Sequence, residues 1–196
     1  MITLPASPAP NSCSPRVISF DLHQRPSTGA AVQTVYRPGS RWALDFTFPL
    51  MTANVARAFT SRLVRAQREG LRMKVPLLGV SQGAPGTPLV DGANPSGTAL
   101  PVKGCTPGYV FDEGYWLTLI DAAGDYYLHQ VVGSVVVNGA GKATVSIETP
   151  IRAPITDGAT VLVAAPMVQG FIEEVAWGMR LGNLVEGIGF TLEEAA

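Results

Sequence analysis

Acid–base chemistry near neutral pH needs an imidazole or a perturbed carboxyl group. The chain holds two histidines, His23 and His129. His129 sits in the apolar run Tyr127-Leu128-His129-Gln130-Val131, where the expectation is a satisfied strand histidine rather than a catalytic base. A Ser/His/Asp apparatus needs its nucleophile on a strained turn, and no G-x-S-x-G occurs. Arg37-Pro38-Gly39-Ser40-Arg41 and Gly133-Ser134 read as ordinary turns. Two histidines far apart, with Cys13 and Cys105 isolated from each other and from them, give no metal-ligand spacing. Both cysteines are expected as free thiols, a single bridge between them being the alternative.

Carboxylates are the remaining route to catalysis. Asp112-Glu113, Glu173-Glu174 and Glu193-Glu194 are adjacent pairs. Neighbours on a strand point to opposite faces, so no such pair forms a dyad by itself. Glu193-Glu194 is expected to be a solvated terminus. The glycines of Gly104-Cys105-Thr106-Pro107-Gly108 and of Gly182 to Gly189 match neither a phosphate loop nor G-x-G-x-x-G. Asp112-Glu113-Gly114 and Asp121 to Asp125 lack the twelve-residue spacing of a calcium loop. No catalytic, cofactor-binding or metal residue is therefore assigned, no cofactor is expected, and the expected role is not enzymatic.

Composition narrows the partners. Charged residues are 15% of the 196 and hydrophobic residues 46%, with a net charge of −1; an average soluble domain is about 25% charged. This fits a folded chain with little charged surface, as in subunits of large assemblies. With 14 Lys+Arg against 15 Asp+Glu and no basic run, the footprint of a nucleic-acid binder is missing. No segment approaches 18 uninterrupted apolar residues, so no membrane span is expected. The opening Met1-Ile2-Thr3-Leu4-Pro5 lacks the regions of a signal peptide.

The elements that must position these residues are mostly strands. Residues 1–16 carry Pro5, Pro8, Pro10 and Pro15, and the expectation is an extended arm without strand or helix. Val17 to Leu22 and Ala31 to Tyr36 alternate as strands. Trp42, Leu44, Phe46 and Phe48 alternate with Arg41, Ala43, Asp45 and Thr47, the pattern of a half-buried strand. Pro49 closes it. Thr52 then reads as the N-cap of a helix of about 17 residues, with Val55, Phe59, Leu63 and Ala66 inward and Gly70 as its stop. Arg57, Arg62, Arg65 and Arg68 lie on its other positions as a solvated or inter-subunit face rather than a phosphate site.

Residues 79–108 are dense in Gly and Pro and read mainly as loop, with short strands at Leu89-Val90 and Ala99–Val102. Tyr115–Ile120 and Tyr126–Val132 form a hairpin. Val135–Val137 and Ala143–Ile147 form a second one around Asn138-Gly139-Ala140-Gly141-Lys142, and Thr160–Ala164 is a further strand. Met167–Phe171, Glu173–Trp177 and Gly187–Glu194 are strands that rejoin the N-terminal sheet. The fold class is thus mainly β with one α-helix. Residues 17–77 with 167–196 make one β domain, and residues 78–166 make an inserted small barrel or sandwich.

This order of elements resembles the distal tail proteins, or tail-tip hub proteins, of long-tailed bacteriophages. The resemblance rests on Arg41-Trp42-Ala43-Leu44-Asp45-Phe46-Thr47-Phe48-Pro49 followed by one helix, and on a middle β block with its hairpin at Gly124-Asp125. It continues through Asn138-Gly139-Ala140-Gly141-Lys142-Ala143-Thr144-Val145, Pro150-Ile151-Arg152-Ala153-Pro154 and Gly187-Ile188-Gly189-Phe190-Thr191-Leu192-Glu193-Glu194-Ala195. It implies a structural virion component whose β-sandwich-like domain with one helix forms a ring, usually a hexamer, at the end of the tail tube. The implied partners are the tail tube protein and the hub or tape-measure proteins, and the implied location is the tail tip, after synthesis in the host cytoplasm.

Other readings remain open at the level of sequence. One is another tail structural subunit: tube end, terminator or connector. A second is a carbohydrate-binding β module, which needs Tyr109, Tyr115, Trp116, Tyr126 and Tyr127 exposed. A third is a hydrolase with cross-strand carboxylates.

Overall fold

Arg41–Thr47 folds as the sequence predicts: Trp42, Leu44, Phe46 and, just beyond it, Phe48 are all buried in one apolar cluster. In the computed structural model, described for residues 1–196 apart from Ala6, Pro26, Thr28, Ala30, Tyr36, Pro38, Leu78, Glu174 and Ala196, the chain is mainly β with several sheets and one helix among the described residues. The first half runs β1 (Ile2–Thr3), β2 (Ser12–Ile18), β3 (Leu22–Gln24), β4 (Gln33–Val35), β5 (Arg41–Thr47), β6 (Met51–Thr52), α1 (Ala53–Glu69) and β7 (Leu71–Lys74). The middle supplies β8 (Gly86–Val90), β9 (Gly97–Cys105), β10 (Val110–Phe111), β11 (Trp116–Ile120), β12 (Tyr126–Gln130), β13 (Val135–Val136), β14 (Ala143–Ile151) and β15 (Val161–Leu162). The chain ends with β16 (Met167–Ile172), β17 (Ala176–Arg180) and β18 (Leu184–Glu194).

The largest sheet follows the path β1-β7-β16-β18-β5-β2, with β17 and β6 also paired to β18. β16 and β18 therefore rejoin the N-terminal strands, as expected. The long β18 is the centre of the sheet, antiparallel to β5, β16, β17 and β6. Its burial alternates, with Ile188, Phe190, Leu192 and Glu194 on the covered face.

The strand-free N-terminal arm is a correction. Ile2 and Thr3 pair in parallel with Leu71 and Arg72, and Ser12–Ile18 pairs with β5 along its whole length. Pro15 is tolerated there because β2 is an edge strand, where a missing N–H costs no ladder bond.

The helix covers that sheet. Its bounds agree with the sequence reading, but Ala56 takes the inward place expected for Val55, which is exposed. Ala56, Phe59, Leu63 and Ala66 form the buried face, and Phe59 meets Phe48 edge-on, ring centroids 4.6 Å apart. Thr52 occupies the N-cap position without a side-chain cap bond. The Ala53 N–H is satisfied instead by the Asn183 carbonyl at 2.8 Å, which ties the β17–β18 turn to the helix start.

The middle of the chain surrounds its own apolar cluster, built from Val90, Leu100, Phe111, Leu117, Val145, Ile155 and their neighbours. Two three-stranded sheets enclose it, β14-β9-β8 and β12-β11-β15. They touch at one bridge on each side, Leu89↔Thr160 and Val131↔Ile147. The ladders are not continuous, so no barrel closes. One expectation holds here and one fails. The Gly/Pro-rich stretch is still just over half loop, and the expected short strands at Leu89-Val90 and Ala99–Val102 lie within the longer β8 and β9. The turn at Asn138–Lys142 forms, but its flanks diverge: β13 pairs β10, and β14 pairs β9.

Candidate functional site: a buried polar seam and an exposed hairpin

The two apolar clusters meet where β12, β14 and the end of β18 converge. Leu128, on β12, is buried in the cluster of the large sheet rather than in that of the middle segment. Trp42 of β5 and Trp116 of β11 meet edge-on with centroids 4.7 Å apart.

Glu194 lies at the centre of this seam. The alternation of β18 carries it to the covered face, so the expected solvated terminus is overturned: Glu194 is 2% exposed. One carboxylate oxygen accepts the Leu128 N–H at 2.6 Å and the other the Trp42 N–H at 3.1 Å. The Arg152 guanidinium approaches the same carboxylate to 2.6 Å. Burial lifts the Glu194 carboxyl above its ordinary range, against the downward pull of Arg152 and the two N–H donors. Glu193 points the other way and accepts from Arg41 Nε at 2.8 Å.

His129 is buried beside this pair. Its Nδ1 lies 2.8 Å from Thr149 Oγ1 and 3.0 Å from the Thr149 carbonyl. Burial first, and the Arg152 charge second, push the imidazole down to about 3, so it is neutral at physiological pH. The expected satisfied histidine is half met, since among the described residues Nε2 has no partner. Trp42 Nε1 has none among them either, and Arg152 is held by its ion pair with Glu194.

Further polar ties join the same two regions. Arg72 lies over the Tyr126 ring, 3.7 Å from its centroid, and bonds Gln169 Oε1 and the Gly124 carbonyl. Gln169 in turn donates to Asp125 Oδ1 at 2.6 Å. Thr118 Oγ1 bonds the Met167 backbone at both N–H and carbonyl, 2.7 Å each. Gln82, in a stretch the sequence reads as loop, is buried: it accepts the Trp116 N–H and donates to the Trp116 and Val163 carbonyls. These contacts hold segments together, and a histidine with no exposed surface offers no path to a substrate.

The other sequence candidates lie apart. His23 is exposed on the β3–β4 hairpin and bonds Thr34 Oγ1 at 3.1 Å. Asp112 accepts from Ser134 Oγ, and Glu113 is exposed on the same turn. Glu173 is exposed, and its partner in the pair, Glu174, lies outside the described residues. Both cysteines are free, as expected. Burial, aided by Asp45, raises the Cys13 thiol to about 11, and burial also raises Cys105, so neither is poised as a nucleophile. Among the described residues no group of three or more His, Cys, Asp or Glu is arranged to hold a metal ion, and no helix is long and apolar enough to cross a membrane.

The five aromatics required by the carbohydrate reading do not form an open platform. Tyr109 stands edge-on to Phe111 and donates to the Gln82 carbonyl, Trp116 meets Trp42, and Tyr126 lies under Arg72. Tyr127 donates to Asp121, and all five rings are half-buried.

What remains open is the β17–β18 hairpin. Every residue of β17 is exposed, Met179 is 83% exposed and Leu181 fully so. Trp177, Met179 and Leu184 face Ala53, Ala56 and Arg57 across a groove of about 300 Å³. Pairing with β18 on one side leaves the other edge of β17 without a strand among the described residues. The sequence reading places a strand at Glu173–Trp177, but β17 runs Ala176–Arg180 and shares only Ala176 and Trp177 with it; its exposure is not legible either, since composition does not tell a projecting hairpin from a covered one.

The chain matches no protein-family model and no curated protein sequence.

Proposed function

We propose that this protein is a non-enzymatic structural subunit of a closed ring at the distal end of a bacteriophage tail, linking the tail tube to the tip or baseplate. The observation that carries the reading is the β17–β18 hairpin, where Trp177, Met179 and Leu181 stand in solvent beside an unpaired strand edge. A lone chain leaves that surface as an aggregation hazard, and a neighbouring subunit that covers it removes the hazard. Contacts of this kind join different surfaces on successive copies, which is how rings close. The phage placement rests on the resemblance of the element order and of the motifs around Trp42, Asn138 and Phe190. In this reading the large sheet, with β1 and β2 included, and its helix form the ring, and residues 78–166 project from it. The partners are further copies, six in all by analogy with the usual ring of the family it resembles, together with the tube and hub proteins.

Native mass spectrometry with negative-stain imaging of the purified protein tests this. A ring of about six subunits with a central channel is the expected result. A monomer at every concentration would overturn the ring.

A further inference from the structure

We propose that the arginine stripe on α1 receives the Asp112–Glu113 turn of a second copy of this chain; the proposal rests on the oligomeric reading above and names the surfaces of one contact.

On α1, Arg57, Ser61, Val64, Arg65 and Arg68 are exposed. Their spacing of four, three, one and three residues sets them on one face, opposite the buried Ala56, Phe59, Leu63 and Ala66. The charge of this stripe is poorly balanced from within. Glu69 alone serves both Arg65 and Arg68, at 3.2 and 3.3 Å. Arg57 makes no ion pair among the described residues. Arg62, next to the stripe, spends one donor on the Thr3 carbonyl at 3.0 Å. Arginines around an exposed valine are the composition of a contact surface, where Arg is enriched and desolvated apolar area gives the adhesion.

The complementary charge lies elsewhere in the same chain. Residues 78–166 hold seven acidic and three basic residues, and the remainder holds eleven basic and eight acidic. In the middle segment Lys103 and Lys142 are already taken by Asp157 and Asp91, and Arg152 by Glu194. Five carboxylates of this segment are left without an ion pair among the described residues: Asp112 and Glu113 on the turn between β10 and β11, Asp121 and Asp125 on the turn between β11 and β12, and Glu148. Asp121 is occupied by N–H groups of its own turn and by Tyr127, and Asp125 by Gln169, so the pair on the β10–β11 turn is the freer one. That turn is a built feature: Ser134 Oγ donates to Asp112 and accepts the Glu113 N–H at 3.2 Å, and the Tyr115 N–H bonds the Asp112 carbonyl at 3.1 Å. No hydrogen bond or ion pair joins this turn to α1 within one chain, among the described residues. The charges are thus matched between copies, on two different surfaces, as a heterologous contact requires.

The test uses the full chain and measures self-association by native mass spectrometry and sedimentation, with circular dichroism to show that each variant is folded. Arg57→Glu with Arg68→Glu, and separately Asp112→Lys with Glu113→Lys, should each weaken association at least tenfold. All four changes in one chain should restore it to within about threefold. Raising the salt from low to high should weaken the wild type in the same direction, since exposed charges are screened within about a Debye length. An assembly that forms unchanged in either reversed variant overturns this contact and leaves the oligomeric reading standing. Loss in both with no recovery in the fourfold variant overturns the pairing. A wild type that never associates overturns both readings together.

Discussion

The Arg152 guanidinium sits 2.6 Å from the Glu194 carboxylate with 7% of its side chain and none of the glutamate's exposed. The pair joins β18 to the loop after β14, and through the Trp42 and Leu128 N–H groups it also reaches β5 and β12. Glu194→Gln leaves a buried guanidinium without its counter-charge, and losing one side of such a pair costs about 3–5 kcal/mol. Arg152→Met should cost less, because the carboxylate keeps its two backbone donors. The double variant should lose less than the two single losses together. Urea unfolding of the three variants measures this, and a Glu194→Gln loss below about 1 kcal/mol would contradict it.

His129 predicts an acid limb. Its imidazole is held near 3 in the fold, against about 6.5 in an unfolded chain. Between those values the unfolded state binds the extra proton, so this contribution is intact above about pH 6.5 and drains away as pH falls. At pH 5.0 the loss relative to pH 7.5 is about 2 kcal/mol from this one group. In His129→Gln, unfolding free energy measured at the two pH values should differ less by about that amount. An unchanged difference would show that the proton is taken up elsewhere.

The alternation of Trp42, Leu44 and Phe46 made β5 legible, because a period of two with aromatics on one face has a single structural meaning. The helix was legible for the same reason. The same rule also extended to Glu194, which shares its face with Ile188, Phe190 and Leu192, yet the glutamate's charge and its place near the terminus outweighed the spacing. Its partner Arg152 and the Thr149 that holds His129 come from a segment distant in sequence, and nothing local marks either. Gly and Pro in residues 79–108 suggested loop around two short strands; the greater length of β8 and β9 comes from pairing, β8 with β9 and β9 with β14, which is a tertiary fact. Pro15 misled in a similar way, since only the sheet order reveals that β2 is an edge.

Gly170 tests the close approach of β16 and β18. It pairs with Leu71 on one side and Glu194 on the other, and a Cβ at this position would collide with the Glu193 backbone carbonyl. Backbone cannot swing aside as a side chain can. Gly170→Ala should therefore cost about 3 kcal/mol, the upper part of the range for overpacking. Gly139→Ala is the control, because the space around Gly139 is open. Its effect should stay within about 0.5 kcal/mol by thermal or urea unfolding. Equal effects at the two positions would refute the steric argument.

Met179 and Leu181 separate folding from assembly. Both side chains project from the hairpin into solvent, so neither contributes to the apolar clusters. Met179→Glu and Leu181→Glu should leave the unfolding free energy within about 0.5 kcal/mol of the parent. If the hairpin is the surface that a neighbouring copy covers, each buried glutamate would lack a partner at the contact, and desolvating an unpaired charge is expensive. Association should then weaken by tenfold or more, read by sedimentation at matched concentration. The anchoring of the turn to α1 through Ala53 and Asn183 is untouched by either change, so a loss of association reports on the contact rather than on the shape of the hairpin. Variants that associate like the parent would move the contact off this hairpin.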